Sequence, residues 1–164
     1  KYKYTQTRIH KDRLATYLPI LFIFCVLIQI CMGAFVSGLD AGQIYQTWPL
    51  MNQSYFPDDS KILDLFSLKA LETPSIVQFI HRNLAYLIVL LFSIILIKTF
   101  RNKDLFYLRS SALLVFIFLF LQTILGIITV ISGAQIILAS MHQIGSIFLI
   151  TSSLILVFKN SRIN

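Results

Sequence analysis

Residues 110–131 read SSALLVFIFLFLQTILGIITVI, a stretch that contains no charged residue and no alternation of apolar and polar positions. A helix of about 20 residues crosses a bilayer core of roughly 30 Å, so this stretch is long and apolar enough to span a membrane. A strand of a membrane β-barrel would instead alternate over short segments. The stretch therefore predicts a transmembrane helix, and with it an all-α membrane protein.

Three more stretches of the same character lie at residues 14–37, 74–97 and 135–158. The chain is 57% hydrophobic with a mean hydropathy of +0.78, values that indicate a membrane protein rather than a soluble domain. We predict a single domain over residues 1–164, a four-transmembrane-helix bundle with a long outer loop between the first two spans. Within that loop, KILDLFSLKALE at residues 61–72 has the rhythm of a short amphipathic helix lying on the membrane.

The charges predict how the bundle is oriented, because basic residues stay on the cytoplasmic or matrix side. The loop over residues 38–73 has only two lysines against five acidic residues, so it faces out. The N-terminal tail, the loop between the second and third spans and the C-terminus all lie on the opposite side, and they carry most of the basic residues: Lys1, Lys3, Arg8, Lys11, Arg13, Lys98, Arg101, Lys103, Arg109, Lys159 and Arg162. Both termini are therefore predicted on the cytoplasmic or matrix side. The net charge of +7 follows from this topology and requires no nucleic-acid partner.

Two histidines, His81 and His142, lie within the second and fourth spans, each about two turns or roughly 10 Å below the outer surface. An ionisable side chain inside a span is costly and functional by default. The second and fourth helices of a four-helix bundle can be diagonal partners, which would place both imidazoles on the axis of one heme iron. The alternative is that each histidine only forms a hydrogen bond with a neighbouring helix.

A short internal repeat supports a shared site. Gln29 and Gly33 in LIQICMGAFVSG align with Gln122 and Gly126 in FLQTILGIITVISG, and each of these helices is followed by one that bears a histidine. The chain thus resembles two helical hairpins related by a pseudo-twofold axis. Histidines on such a pair would meet near the axis, where one cofactor could bind.

The neighbours of the histidines also suit a flat macrocycle. Small residues on the same helical faces would let a porphyrin approach the backbone: Ala85, Ala139 and Ser146. Arg82, next to His81, would pair with a propionate, or alternatively would snorkel to the headgroups. We therefore take His81 and His142 as axial iron ligands and Arg82 as a further cofactor-binding residue.

Four strings in the sequence resemble the C-terminal half of heme A synthase. They are GAFVSGLDAGQIYQTWPLMN at Gly33–Asn52, VQFIHRNLAYL at Val77–Leu87, and LQTILGI and LASMHQIGS further on. The match covers most of the chain. Because the outer loop has no paired cysteines, the chain is similar to the alphaproteobacterial and mitochondrial type of that family.

The resemblance implies an oxidoreductase of eight transmembrane helices in two similar halves, located in a bacterial inner or mitochondrial inner membrane. Such enzymes oxidise a methyl group of heme O to a formyl group, giving heme A for cytochrome oxidase. Their C-terminal half carries one heme b held by two histidines, which correspond to His81 and His142. Their N-terminal half binds heme O beside an acidic residue, and here Gln78 stands at that position. The implied partners are heme O, a separate N-terminal half or a second copy, and the cytochrome oxidase assembly machinery.

The start of the chain fits a missing half, since it opens with Lys1 rather than methionine and with a basic segment that would connect the halves. We expect a fragment or a split-gene product that is inactive alone, because an iron with two histidine ligands has no open position for oxygen unless one ligand leaves. Two alternatives remain. A stand-alone b-type membrane cytochrome would need a second histidine pair near the inner face, and a non-catalytic oxidase-assembly partner would need no axial ligands.

Overall fold

The computed structural model describes residues 14–161, and within them the chain is helical apart from turns, loops and one isolated bridge between Met51 and Ser54. Its α-helices are α1 (Tyr17–Gly38), α2 (Lys69–Glu72), α3 (Pro74–Arg101), α4 (Arg109–Ile131) and α5 (Ile136–Ser161). Helices α1, α3, α4 and α5 are long and apolar enough to cross a membrane. The prediction of an all-α integral membrane protein with four spans is confirmed. The basic tail before Leu14 and Arg162 lie outside the described residues.

The helix boundaries follow the predicted spans closely, and α3 shows the largest extension. It begins at Pro74, whose missing N–H is not needed in a first turn, but Thr73 makes no side-chain capping hydrogen bond. It continues to Arg101, and Lys98 and Arg101 lie in its last turn, where basic residues interact favourably with the helix dipole. A 3-10 helix at Lys103–Leu108 then leads directly into α4.

The four long helices form a closed ring of neighbours. Helix α1 packs on α3, α3 on α4, α4 on α5, and α5 on α1. The most extensive contacts join α1 with α3 and α4 with α5, so the bundle consists of two hairpins. Helices α3 and α5 lie on a diagonal, as expected for the second and fourth spans.

Apolar packing is concentrated in the half of the bundle nearest the chain termini, which we call the termini end. The rings of Phe22 and Phe92 lie there with their centroids 4.9 Å apart. Helices α4 and α5 are fully described, and α4 has no buried residue beyond Leu119, nor α5 one before Leu149. The opposite half, which we call the loop end, therefore has no buried residue contributed by α4 or α5.

A polar clasp joins the start of α1 to the end of α5 at the termini end. The side chain of Asn160 accepts a hydrogen bond from the N–H of Leu14 at 3.0 Å and donates one to the carbonyl of Leu14, also at 3.0 Å. Both residues are buried. The clasp satisfies two backbone groups that otherwise have no helical partner.

Replacing Asn160 by alanine is expected to lower the free energy of unfolding by about 2 kcal/mol, because it leaves the buried backbone groups of Leu14 unpaired. Thermal unfolding in detergent, followed by circular dichroism, measures this loss. The matched control is Ser161→Ala, which removes a hydroxyl bonded only within its own helix and should change stability by less than about 0.5 kcal/mol. Equal effects of both changes would contradict the role of the clasp.

In the long loop, residues 39–73, the segment at residues 61–72 contains two short helical pieces where one amphipathic helix was expected. A 3-10 helix at Ile62–Phe66 ends at Ser67, whose extended backbone (φ −125°, ψ 173°) separates it from α2. The carboxylate of Asp64 accepts from the N–H of Lys61 at 3.0 Å and thereby closes a tight first turn. Several apolar side chains of this segment are strongly exposed: Ile62, Leu63, Phe66 and Leu68.

Candidate functional site

His81 and His142 lie on the diagonal helices α3 and α5, each about two turns or roughly 10 Å from the loop end. Both residues are half-buried in the bundle. The bundle therefore brings together, at one level, the two residues singled out in the sequence. They lie in the half of the bundle where α4 and α5 have no buried residue.

Each imidazole ring faces a glycine: Gly33 on α1 lies beside His81, and Gly126 on α4 lies beside His142. A Cβ atom built on Gly126 would lie 3.0 Å from Cε1 of His142, and one built on Gly33 would lie 3.4 Å from Cε1 of His81. A Cβ at position 126 would crowd the His142 ring, whereas one at position 33 would make an ordinary contact with the His81 ring. The internal repeat thus has a structural counterpart, since the same glycine meets the same ring edge in both hairpins.

The two glutamines of the repeat, Gln29 and Gln122, make different contacts. The amide nitrogen of Gln29 lies 3.1 Å from the carbonyl oxygen of His81 and 3.3 Å from its Nε2. Gln122 instead lies against Gly145, where an added Cβ would be 1.8 Å from the glutamine amide nitrogen. The pseudo-twofold relation therefore holds for the histidines and glycines but not for the glutamines.

The histidine Nδ1 atoms show that the polar groups of the site are incompletely paired. Nδ1 of His81 and of His142 are both buried, and neither has a hydrogen-bond partner among residues 14–161. Two opposed imidazoles are a usual ligand set for a low-spin heme iron, and glycines beside the rings would admit a flat group. The residues present fit a heme held between α3 and α5.

Arg82 holds the long loop against the bundle. Its Nη1 donates to the carbonyl oxygens of Thr47 at 2.8 Å and of Leu50 at 3.3 Å, and its Nη2 donates to that of Tyr45 at 2.8 Å. Gln78, one turn earlier on α3, also donates to the carbonyl of Tyr45, at 2.9 Å. Arg82 is only 8% exposed, so it does not snorkel out of the protein. Its predicted role toward a propionate stays a prediction.

The segment that Arg82 holds is a closed turn. The hydroxyl of Thr47 donates to the carbonyl of Leu50 at 2.9 Å and accepts from the N–H of Asn52 at 2.8 Å, and the Trp48–Pro49 peptide bond between them is cis. The sequence analysis missed the link between this turn and Arg82, because residues 32 to 37 positions apart leave no local pattern.

The long loop also reaches the other hairpin. A Cβ on Gly42 would lie 2.9 Å from the Cβ of Ala134, and the side chain of Gln46 lies against Gly133. Gly133 and Ala134 form the tight turn between α4 and α5 with positive φ angles of 71° and 55°. The start of the loop therefore spans both hairpins at the loop end, above the level of the histidines.

The small residues near the histidines are half-buried, as a close approach to their helices would need. Ala85 lies one turn beyond His81, and Ala139 lies one turn before His142. Ser146 uses its hydroxyl to donate to the carbonyl of Gln143 in its own helix, at 2.6 Å. It therefore presents no free donor toward the histidines.

Tyr45 ties the loop together through its side chain. It is 3% exposed, and its hydroxyl donates to Asp58. Burial, followed by the hydrogen bond to Asp58 and the charge of Asp59, raises the pKa of Tyr45 from 10.0 to about 12. The hydroxyl therefore keeps its proton in the folded chain at a pH where it would ionise in the unfolded chain.

This pKa shift predicts a loss of stability in alkali. The contribution of Tyr45 is complete below its unfolded pKa of 10.0 and is lost as the pH rises toward about 12. Thermal unfolding at pH 9, 10 and 11 should show a steeper decline for the natural chain than for Tyr45→Phe. The other tyrosines ionise equally in both chains, so identical slopes would contradict the assignment.

Comparison with known sequences places the chain in a family. The family sequence model described as "Cytochrome oxidase assembly protein" matches residues 2–154. A protein named heme A synthase from Pelagibacter ubique (strain HTCC1062) is 43% identical over 158 residues, which cover 93% of this chain and 46% of that protein. Proteins of the same name from Wolbachia pipientis wMel and Rickettsia africae (strain ESF-5) are 37% and 40% identical, covering 91% and 82% of this chain and 41% and 40% of their own lengths.

The chain spans less than half the length of these relatives. No solved structure matches it. Because the family match extends over nearly all of the sequence, the chain belongs to the cytochrome oxidase assembly protein family that includes the heme A synthases.

Proposed function

We propose that this chain is the heme-bearing half of a heme A synthase, an enzyme that oxidises a methyl group of heme O to a formyl group. The observation that carries the proposal is the pair of level histidines on α3 and α5, which face glycines on α1 and α4 respectively. The relatives named heme A synthase supply the reaction. Heme O is then the substrate of the complete enzyme, and its product serves cytochrome oxidase assembly.

His81 and His142 are the proposed axial ligands of one heme b. A heme bound there would supply one-electron transfer. Gly126 keeps the ring edge of His142 free of a side chain, and the start of the long loop lies above the histidine level at the loop end.

Arg82 is the proposed partner of a heme propionate. Its two terminal nitrogens are already bonded to loop carbonyls, but its Nε is buried without a partner among the described residues. A carboxylate would satisfy this remaining donor, since a buried unpaired polar group is costly. Arg82 would then join the loop and the cofactor through one guanidinium.

The proposed orientation places the loop end outside and the termini end in the cytoplasm or matrix. The described basic residues of the termini end support it, because such residues stay on that side of a bacterial plasma or mitochondrial inner membrane. They are Lys98, Arg101, Lys103, Arg109 and Lys159. The heme level would then lie near the outer surface.

The chain alone is proposed to produce no heme A. If His81 and His142 both held the iron, oxygen would have no open position unless one ligand left, so oxidation of the methyl group is assigned to a second half. That half would be a separate N-terminal partner or a second copy of this chain. The present half would deliver electrons to the oxidising site or support it structurally.

A chimera tests the proposal. The aligned segment of the Pelagibacter heme A synthase is replaced by this chain, and the chimera is expressed in a host that makes heme O but no heme A. Extracted hemes are then separated and quantified. Heme A from the chimera, and none from its His81→Ala form, is the expected result. A chimera that is inserted and binds heme yet makes no heme A would overturn the assignment and favour a stand-alone cytochrome.

A further inference from the structure

We infer that Gln29 is a positioning residue that fixes the tautomer of His81, so that its Nε2 presents a lone pair to a metal. This inference rests on the proposed function for its purpose, but it is carried by contacts within the chain. Gln29 lies on α1, and His81 lies 52 positions later on α3. Gln29 is a positioning residue only and is not proposed as an iron ligand.

The orientation of the Gln29 amide follows from the carbonyl of His81. A backbone carbonyl oxygen only accepts hydrogen bonds, so the end of the amide that lies 3.1 Å from it must be the NH₂ group. The same nitrogen lies 3.3 Å from Nε2 of His81. An NH₂ group only donates, so Nε2 must accept.

The proton of the neutral imidazole must therefore be on Nδ1, although that buried atom has no acceptor among residues 14–161. A neutral histidine has one donor and one acceptor nitrogen, and a charged one has two donors, which would oppose the Gln29 NH₂ group. Nε2 then keeps its lone pair, the form that a metal binds. His81 would therefore need to lose no proton to bind a metal through Nε2, and Gln29 holds the ring in that tautomer.

Among residues 14–161, no side chain bonds to the ring of His142 as Gln29 does to that of His81. The matching glutamine of the repeat, Gln122, lies against Gly145 instead of bonding to the histidine ring. The two proposed ligands are therefore inequivalent, and only His81 is held in one tautomer by an amide. Gln122 provides a matched control, being the same residue type on the equivalent helix.

Selective ¹⁵N labelling of histidine tests the tautomer directly. In the heme-free chain, purified in detergent with His142→Ala to simplify the spectrum, NMR should show His81 protonated on Nδ1 and unprotonated on Nε2. Gln29→Leu should produce a mixture of the two tautomers. A proton on Nε2 in the chain with Gln29 intact would overturn the inference, whether or not the chain binds heme.

Titration with hemin measures the consequence. Gln29→Leu should weaken hemin binding about tenfold, as loss of groups that orient a metal ligand generally does, while Gln122→Leu should change it by less than about twofold. Gln29→Glu, which has nearly the same shape, should weaken binding at least as much as Gln29→Leu, because a carboxylate accepts from Nε2 and draws the proton there. A role in packing alone would spare Gln29→Glu.

The two proposals fail separately. If the natural chain does not bind hemin, the proposed function is wrong, and the NMR result alone decides the role of Gln29. If the natural chain binds hemin and the Gln29 variants bind it equally well, the inference is wrong while the proposed function stands.

Discussion

Arg82→Met is expected to release the long loop from the bundle and to lower the free energy of unfolding by about 3 kcal/mol. The substitution keeps a long, helix-compatible side chain but removes the donors to the carbonyls of Tyr45, Thr47 and Leu50. Hydrogen bonds from a charged donor contribute about 1.5–3 kcal/mol each, and part of the loss is offset by water. Limited trypsin digestion measures the release, since Lys61 and Lys69 lie in the loop and are exposed.

The expected result is at least a tenfold faster cleavage at these lysines, given that about 1.4 kcal/mol corresponds to a factor of ten. Arg101→Met is the matched control, because Arg101 is an exposed arginine at the other end of the same helix. Cleavage at an unchanged rate in Arg82→Met would contradict the view that Arg82 holds the loop.

Gly126→Ala is expected to weaken heme binding about tenfold, and Gly126→Val more strongly. The added Cβ would lie 3.0 Å from Cε1 of His142, so the ring has to move by a few tenths of an ångström. Overpacking of this kind costs about 1–3 kcal/mol, and here it would shift the imidazole of a proposed iron ligand. Hemin titration of the purified variants measures the loss.

Two other glycines on α1 are matched controls. A Cβ on Gly33 would make an ordinary contact with His81 at 3.4 Å, and one on Gly38 would meet nothing within 4 Å. Gly33→Ala and Gly38→Ala should therefore change hemin affinity by no more than about twofold. If Gly126→Ala binds hemin as well as Gly38→Ala does, the ring of His142 is not held by the surface that Gly126 provides.

The four spans could be predicted because each apolar run is long and uninterrupted. Membrane helices are specified locally by length and hydropathy, so the expected span at residues 110–131 differs from α4 by one residue at its start. The level of the histidines followed from counting along those helices. Their diagonal placement followed from their order as second and fourth helices of a four-helix bundle, and the internal repeat supported it.

The pairings between distant segments were not predictable from local patterns. Asn160 forms hydrogen bonds with Leu14 across 146 positions, and Arg82 donates hydrogen bonds to loop carbonyls 32 to 37 positions earlier. The sequence predicts Arg82 as a snorkelling or propionate-binding residue. It does not reveal the bonds to the loop, because backbone carbonyls are present whatever the side chain is. Backbone carbonyls leave no trace in a sequence, so a buried arginine that bonds to them looks like any arginine near a membrane surface.

The loop segment at residues 61–72 shows a related limit. Its apolar spacing is compatible with a helix, but Asp64 and Ser67 bond locally to the backbone and divide the segment. Asp and Ser compete with helical hydrogen bonds in this way. The different partners of Gln29 and Gln122 were also unpredictable, because the repeat gives both residues the same sequence context.

The central claim, a heme held by His81 and His142, is tested most directly by a reduced-minus-oxidised absorption spectrum with pyridine hemochrome analysis. The chain would be purified in detergent from heme-producing cells beside His81→Ala, His142→Ala and, as a control at the third histidine, His10→Ala. We expect a low-spin b-type signal in the natural chain and in His10→Ala, and no such signal in the other two. A folded helical chain without heme, or an unchanged spectrum after loss of either His81 or His142, would contradict the claim.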